Sequence, residues 1–360
     1  MARTILFEVT TSKPLPTGEQ VFITGGREEL GHWRADGFPL ARVRDCLWSG
    51  TVTLSDADPV EYKVTRGTWD TERLDKDGAR AANLSIPAGA QGLIEIQADA
   101  WADHIAGGPP CITGDYRIHE SVSSRYLSHD RRVIVWLPPS YATEKQRRYP
   151  VVYLHDGQQI FDPQTSTHGQ DWEVDETCTR LIGEKQIEEL IAVGIYSTED
   201  REKEYAPFDS GEAYTSFVVE ELKPLVDATY RTQPDCSVVA GASRGGTIAF
   251  YMAWTRPDIF SGVACLSPAF DIEGRREILD LIRDATTAPK PAIYLYCGKA
   301  DDLEQALLPG MREMERHLLG HGWSQPDRRL QVVEDACGEH NEAAWARHTP
   351  EWLTFLFGTP

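Results

Sequence analysis

A chain of 360 residues with 41% hydrophobic residues can form two domains and bury a sizeable core, which excludes a largely disordered polypeptide. The formal net charge of −20 is spread along the chain, with 11 basic against 16 acidic residues in positions 1–105 and 25 against 40 in the remainder. No Lys/Arg run stands out, so the composition argues against a nucleic-acid partner and against an anionic membrane surface, both of which need a basic patch.

The first region, residues 4 to about 97, consists of short strand-like runs: TILFEVT, EQVFITGG, LWSGTVTL, VEYKVTRG and LIEIQAD. They alternate or cluster β-branched and aromatic residues, and Gly, Pro and Asp punctuate them. No helical pattern of convincing length interrupts, so the run predicts a small all-β sandwich over residues 1–100. The stretch WADHIAGGPPCITGD then carries Gly-Gly-Pro-Pro and marks 101–114 as a linker.

From residue 115 to 360 the pattern changes. Apolar strand-like runs (VIVWLPP, PVVYLHDG, LIAVGIY, CSVVAGAS, AIYLYCGK, LQVVEDA) alternate with helical stretches such as GGTIAFYMAWTRPDIF, LLPGMREMERHLLGHG and EAAWARHTPEWLTFLFG. Strand–helix alternation predicts an α/β domain, a parallel-rich sheet covered by helices on both faces, following the β-sandwich.

The chemistry concentrates at VVAGASRGGTIAFY. Gly241-Ala242-Ser243-Arg244-Gly245 fits G-x-S-x-G, in which a serine sits on a cramped strand-to-helix turn and the flanking glycines avoid a clash as the chain doubles back. The amide of Arg244 would then point to where an oxyanion forms. A nucleophilic serine needs a base, and the base an acid. Four histidines follow Ser243; His340 in ACGEHNEAAW lies between a strand and a helix and is the expected base. For the acid, AIYLYCGKADDLEQA offers Asp301, with Asp302 a close rival and Asp335 an outsider. VVYLHDGQQIFD supplies a second oxyanion amide from Gly157 or Gln158, and His155 there reads as a structural or loop residue.

These residues, with VGIYSTEDREKEYAP and FVVEELKPLVDATYRT, resemble the esterase D-like family of α/β-hydrolases, which includes enterochelin, feruloyl and acetyl xylan esterases and S-formylglutathione hydrolases. The resemblance implies a Ser-Asp-His serine esterase that uses no metal and no organic cofactor. Its substrate pocket would come from loops carrying Trp172, Arg201, Tyr205, Phe270 and Trp345. Where the family commonly has a small or apolar residue after the serine, this chain has Arg244.

GEQVFITGGREELGHWRADGFPL, LWSGTVTL and VEYKVTRGTWDTE resemble a starch-binding module, in which aromatic rings stack on glucose. The resemblance places Trp33, Trp48, Lys63 and Trp69 at positions tied to the fold and to glucan contact, although Asn83 is followed by Leu84 rather than the arginine frequent in such modules. The combined expectation is an esterase acting on an acylated carbohydrate or related ester, with glycogen or starch as ligand of the first domain. One alternative keeps the triad but turns it on a siderophore or other small aromatic ester, with the β-domain as a lid or a homodimer contact. Another is a carbohydrate-binding scaffold without catalysis.

Seven cysteines without close pairing, several in apolar runs, predict reduced thiols instead of a disulfide framework. The amino terminus MARTILFEVTTSKP has no extended apolar segment, and no run approaches the ~20 residues of a membrane span. The expected location is therefore cytoplasmic; secretion would require a signal peptide that these residues do not contain.

Overall fold

The computed structural model describes residues 2–12, 14–15, 19–75, 80, 82–102, 111–167, 169–272, 274–284, 288–324, 327 and 329–359. They fall into two compact units, Met1–Pro110 with Thr167–Gly169, and Cys111–Ser166 with Gln170–Pro360. The described ends of the expected 101–114 linker bond to the two units. Trp101 is buried in the first unit's core and bridges Arg73, and Thr113 binds Asp175 and Glu176 in the second unit. Residues 103–110 lie outside the described set.

The first unit is a β-sandwich of seven strands: β1 (Arg3–Thr11), β2 (Val21–Gly25), β3 (Phe38–Arg44), β4 (Leu47–Leu54), β5 (Val60–Thr65), β6 (Leu84–Ile86) and β7 (Gly92–Ala98). They hydrogen-bond in the order β6-β5-β2-β3-β4-β1-β7. In β1 the period-2 pattern buries Ile5, Phe7 and Val9 on one face. These pack with Val21, Ile23, Tyr62, Val64 and Trp48. β3 serves both layers: Leu40 pairs with Val21 of β2, and Arg42 with Trp48 of β4. Its sequence FPLARVR buries only Leu40, so it carried no alternating apolar signal.

The second unit is built on an eight-stranded sheet of β8 (Asp115–Val122), β9 (Arg131–Leu137), β10 (Tyr149–His155), β11 (Ile191–Ile195), β12 (Thr232–Ala242), β13 (Phe260–Leu266), β14 (Ala292–Gly298) and β15 (Leu330–Asp335). The order is β15-β14-β13-β12-β10-β11-β9-β8. β10 to β15 run parallel, and β9 and β8 add on antiparallel at one edge. The helices are α1 (Val174–Gly183), α2 (Arg201–Glu204), α3 (Gly211–Ser216), α4 (Lys223–Thr229), α5 (Arg244–Thr255), α6 (Glu277–Asp284), α7 (Asp302–Gly320) and α8 (Glu342–Phe357). Every residue of β10 is buried. Val151 and Tyr153 enter one apolar cluster while Val152 and Leu154 enter the other, so both faces of the sheet are covered, as continuous apolar strands require. Among the described residues no helix is long and apolar enough to cross a membrane.

Candidate active site

Four neighbouring strands of the parallel sheet, β12 to β15, end at one edge, and the residues that follow them form the site. β12 gives way to Ser243, which sits at φ 54° and ψ −127° before α5 begins. A non-glycine residue held there stores about 1–3 kcal/mol of backbone strain. The two glycines of the motif explain how the turn closes. A Cβ on Gly241 would lie 2.4 Å from the backbone of Gly245, so only glycine lets the strand and the helix start pass each other. The Ser243 amide donates to the Leu266 carbonyl at the end of β13 (2.9 Å), and its carbonyl accepts from Gly246 (3.0 Å) and Thr247 (3.2 Å).

His340 follows β15. Its Nδ1 lies 2.9 Å from Oε1 of Glu304, and its side chain keeps 13% of its surface exposed. The structure therefore corrects the expected acid. Asp301 does not meet the imidazole ring. Its Oδ1 caps α7 by accepting from the Glu304 amide (2.8 Å), and its Oδ2 accepts from the backbone amide of His340 (2.6 Å). Asp302 is exposed, and Asp335 pairs with His348 instead (3.2 Å). Asp301 thus fixes the backbone of the histidine loop, while the carboxylate against the ring comes from the first turn of the helix.

Glu304 is wholly buried. Its Oε2 accepts from the Gly298 amide (2.6 Å) and from the Cys297 thiol (3.0 Å). Burial pushes its pKa up, but hydrogen bonds from His340, Ser267 and Cys297 outweigh this and hold it below the ordinary value. The Cys297 thiol, raised well above its usual value by burial and by Glu304, stays protonated and donates. Ser267 follows β13 at φ 46°, with its amide on the Tyr296 carbonyl (2.7 Å). Its hydroxyl accepts from Trp345 Nε1 (3.0 Å), and Trp345 presents its edge to His340 at 5.2 Å between ring centres.

The turn after β10 is the other wall. Asp156 adopts φ 55°, and Gly157–Gln159 form one 3₁₀ turn. The first amides of such a turn have no partner within it; here the turn's own bonds run from the Gln159 amide to Asp156 (2.8 Å) and from the Ile160 amide to Gly157 (3.4 Å). Gly157 is glycine because a Cβ would lie 2.5 Å from Gly194 on β11. His155 is fully buried, with Nδ1 3.0 Å from the Tyr214 hydroxyl. Burial pushes its pKa down to about 4, Asp156 opposing and Arg201 reinforcing the shift, so it is neutral.

The expected substrate-contact residues divide. Tyr205 and Phe270 line a cleft of about 270 Å³ that adjoins the elbow at Arg244, Thr247 and Ala269, and Phe208 and Arg275 also face it. Trp172 does not line it: this ring is buried against Trp345 at 5.7 Å in the core beneath the loops. Trp345 is buried too and braces His340 and Ser267. Arg201 is committed to Asp156 by two hydrogen bonds, from Nε (2.7 Å) and Nη2 (2.8 Å).

In the first unit, Trp69 is 38% exposed on a short 3₁₀ turn and Trp33 is half-buried at φ 62°. Trp48 is a core residue with Arg42 over its ring, and Lys63 is buried in an ion pair with Glu72, which also binds Arg80 (3.4 Å). Neither Trp48 nor Lys63 presents a surface to a sugar: Trp48 is in the sandwich core, and Lys63, on the face of β5 opposite Tyr62 and Val64, is covered by its pairing with Glu72.

Among the described residues one group offers carboxylate oxygens close enough to share a cation. Asp171, Asp175 and Glu176 bring theirs within 4.8 Å of one another. Burial first, with Glu176's charge, raises Asp171 to about 7 and Asp175 to about 9.

Comparison with known proteins gives this site its class. The family model described as "Putative esterase" matches residues 124–354, and the chain belongs to that family. It is a carboxylic ester hydrolase. A second model, "Starch binding domain", matches residues 3–89, and the first unit is a domain of that kind. An alpha-amylase of Niallia circulans is 30% identical over 105 residues, covering 28% of this chain and 8% of the amylase. Among solved structures, a ferulic acid esterase shares 22% identity and a TM-score of 0.55 over 68% of this chain and 98% of that one. The ferric enterobactin esterase of Salmonella typhimurium shares 17% identity and a TM-score of 0.57 over 98% and 92%. Both share the fold.

Proposed function

We propose that the protein hydrolyses carboxylic esters through a Ser243–His340–Glu304 triad and an acyl-enzyme. The observation that supports this most is the Glu304–His340 contact at the same sheet edge as the strained Ser243 turn. With Nδ1–H donated to Glu304, the imidazole keeps a lone pair on Nε2 for the serine proton. Ser243 Oγ attacks the ester carbonyl carbon as its proton passes to Nε2. The carbonyl oxygen takes the negative charge and is met by the amides of Arg244 and of Gly157 or Gln158. The C–O bond to the alcohol then breaks, and the alcohol leaves with the proton from Nε2. Water, deprotonated by His340, attacks the acyl-enzyme and releases the acid and Ser243.

The substrate we propose is an acylated carbohydrate, with the starch-binding domain raising its local concentration by tethering. Phe270, Tyr205, Phe208 and Ile272 give the cleft beside the elbow an apolar, aromatic wall for the acyl group. The same wall supports a second reading, a small aromatic ester, since the enterobactin esterase fold spans nearly the whole chain. A panel of acetyl and feruloyl esters of oligosaccharides beside free aryl esters tests the choice. Preference for the sugar esters, heightened on amylose-bound substrate, supports the first reading; equal turnover of simple aryl esters supports the second.

A further inference from the structure

The oxyanion donors named above lie on two separate loops, after β10 and after β12, and their separation has to be fixed by something. Both are tied to the same short helix. In α2, Arg201 holds the Asp156 carboxylate through Nε and Nη2 at 2.7 and 2.8 Å, and the adjacent Glu202 holds Arg244 Nε at 2.5 Å. Arg201 and Glu202 also meet each other at 3.2 Å. The helix itself is anchored from below, because Glu204 pairs with the fully buried Arg131 of β9.

The same segment grips the β10 turn at two more points. Tyr205, over whose ring the Arg201 guanidinium lies at 4.9 Å, accepts from the Asp156 amide with its hydroxyl (3.1 Å). Ser197 and Gln158 exchange hydrogen bonds, from Gln158 Nε2 to Ser197 Oγ (2.6 Å) and from the Ser197 amide to Gln158 Oε1 (3.1 Å). Asp156 needs such support. Its φ of 55° is costly for an aspartate in a buried turn, and burial would raise its pKa; Arg201's charge and hydrogen bonds reverse that and keep it ionised.

We infer that α2 is a strut that sets the distance between the two halves of the oxyanion hole, with Arg201 its principal positioning residue. This rests on the proposed function of the Ser243 site. Arg201 touches no reacting atom in this scheme. It acts by holding Asp156, whose successors Gly157 and Gln158 carry the amides. Displacing one oxyanion donor weakens the transition state far more than the bound substrate, so the loss falls on kcat.

The test compares wild type, Ser243→Ala, Arg201→Ala and Arg201→Lys on a short p-nitrophenyl ester, with each variant's unfolding temperature. Arg201→Ala is expected to lower kcat by about 10- to 100-fold with KM within about twofold. Low millimolar guanidinium, but not the same concentration of urea or sodium chloride, should restore part of the rate by refilling the slot beside Asp156. Arg201→Lys keeps the charge but lacks the two-pronged fork, and should show most of the same loss. Full kcat in either folded Arg201 variant, or a loss confined to KM, overturns the inference; so does a loss that guanidinium does not relieve. Should Arg201→Ala not fold, the Arg201→Lys result decides alone. A wild type without ester turnover, or an active Ser243→Ala, instead overturns the reading of the site itself.

Discussion

Oε1 of Glu304 lies 2.9 Å from Nδ1 of His340, although the two residues are 36 positions apart, one in the first turn of α7 after β14 and the other in the loop after β15. Asp301, three residues before Glu304, makes the helix cap that turns this carboxylate inward. One aspartate therefore builds the frame, and one glutamate addresses the imidazole.

Exchanging these two carboxyls separately should give unequal results. Glu304→Gln presents an amide to Nδ1 and selects the wrong tautomer, so kcat on a p-nitrophenyl ester should fall about a thousandfold or more. Asp301→Asn keeps a good capping oxygen and should cost less than about tenfold. Steady-state kinetics of the two variants checks this. A larger loss in Asp301→Asn would return the acid's role to Asp301.

The starch-binding domain should separate its tryptophans in the same way. Trp69→Ala removes an exposed ring and should weaken retention on amylose with little change in unfolding temperature. Trp48→Ala empties a core position and should destabilise the domain by about 3–5 kcal/mol. Amylose pull-down and thermal unfolding of both variants read these effects; undiminished retention of Trp69→Ala would place the glucan surface elsewhere.

Asp171 and Asp175 make a prediction about pH. Burial holds them protonated to about pH 7 and about pH 9, well above the ordinary carboxyl range. The folded protein therefore holds more protons than the unfolded chain between these limits, and stability falls as pH rises from about 4 to about 9. Asp175→Asn, which keeps an acceptor for the Thr113 amide, removes part of that slope. Its unfolding temperature should exceed wild type at pH 8 and converge with it near pH 4. An unchanged difference across that range would contradict the assignment.

Much of this was legible in the sequence, for physical reasons that differ by element. The elbow is legible because a strand, a glycine at 241 that no other residue can replace, and a helix start leave few alternatives. The place of His340 between a strand and a helix is legible in the same way. The Glu304–His340 contact is less legible, because Glu304 stands in the first helical turn and not in the loop after the strand. A signal was present. Glu304, Leu307, Leu308, Met311, Met314 and Leu318 follow helical spacing, and all are buried. A glutamate on that apolar stripe needs a partner. Trp172, Trp48 and Lys63 were misplaced because a tryptophan or lysine looks the same in sequence whether it faces a ligand or a core. β3 and β6 escaped because FPLARVR and LSI bury one residue each.

Ser243 is the proposed nucleophile. The most direct measurement is covalent labelling with a fluorophosphonate, followed by intact-mass and peptide analysis and by ester turnover of the labelled protein. One adduct on the peptide containing Ser243, with turnover lost in proportion and no adduct in Ser243→Ala, is the predicted result. Labelling of another residue, or ester turnover that persists in Ser243→Ala, would rule Ser243 out as the nucleophile.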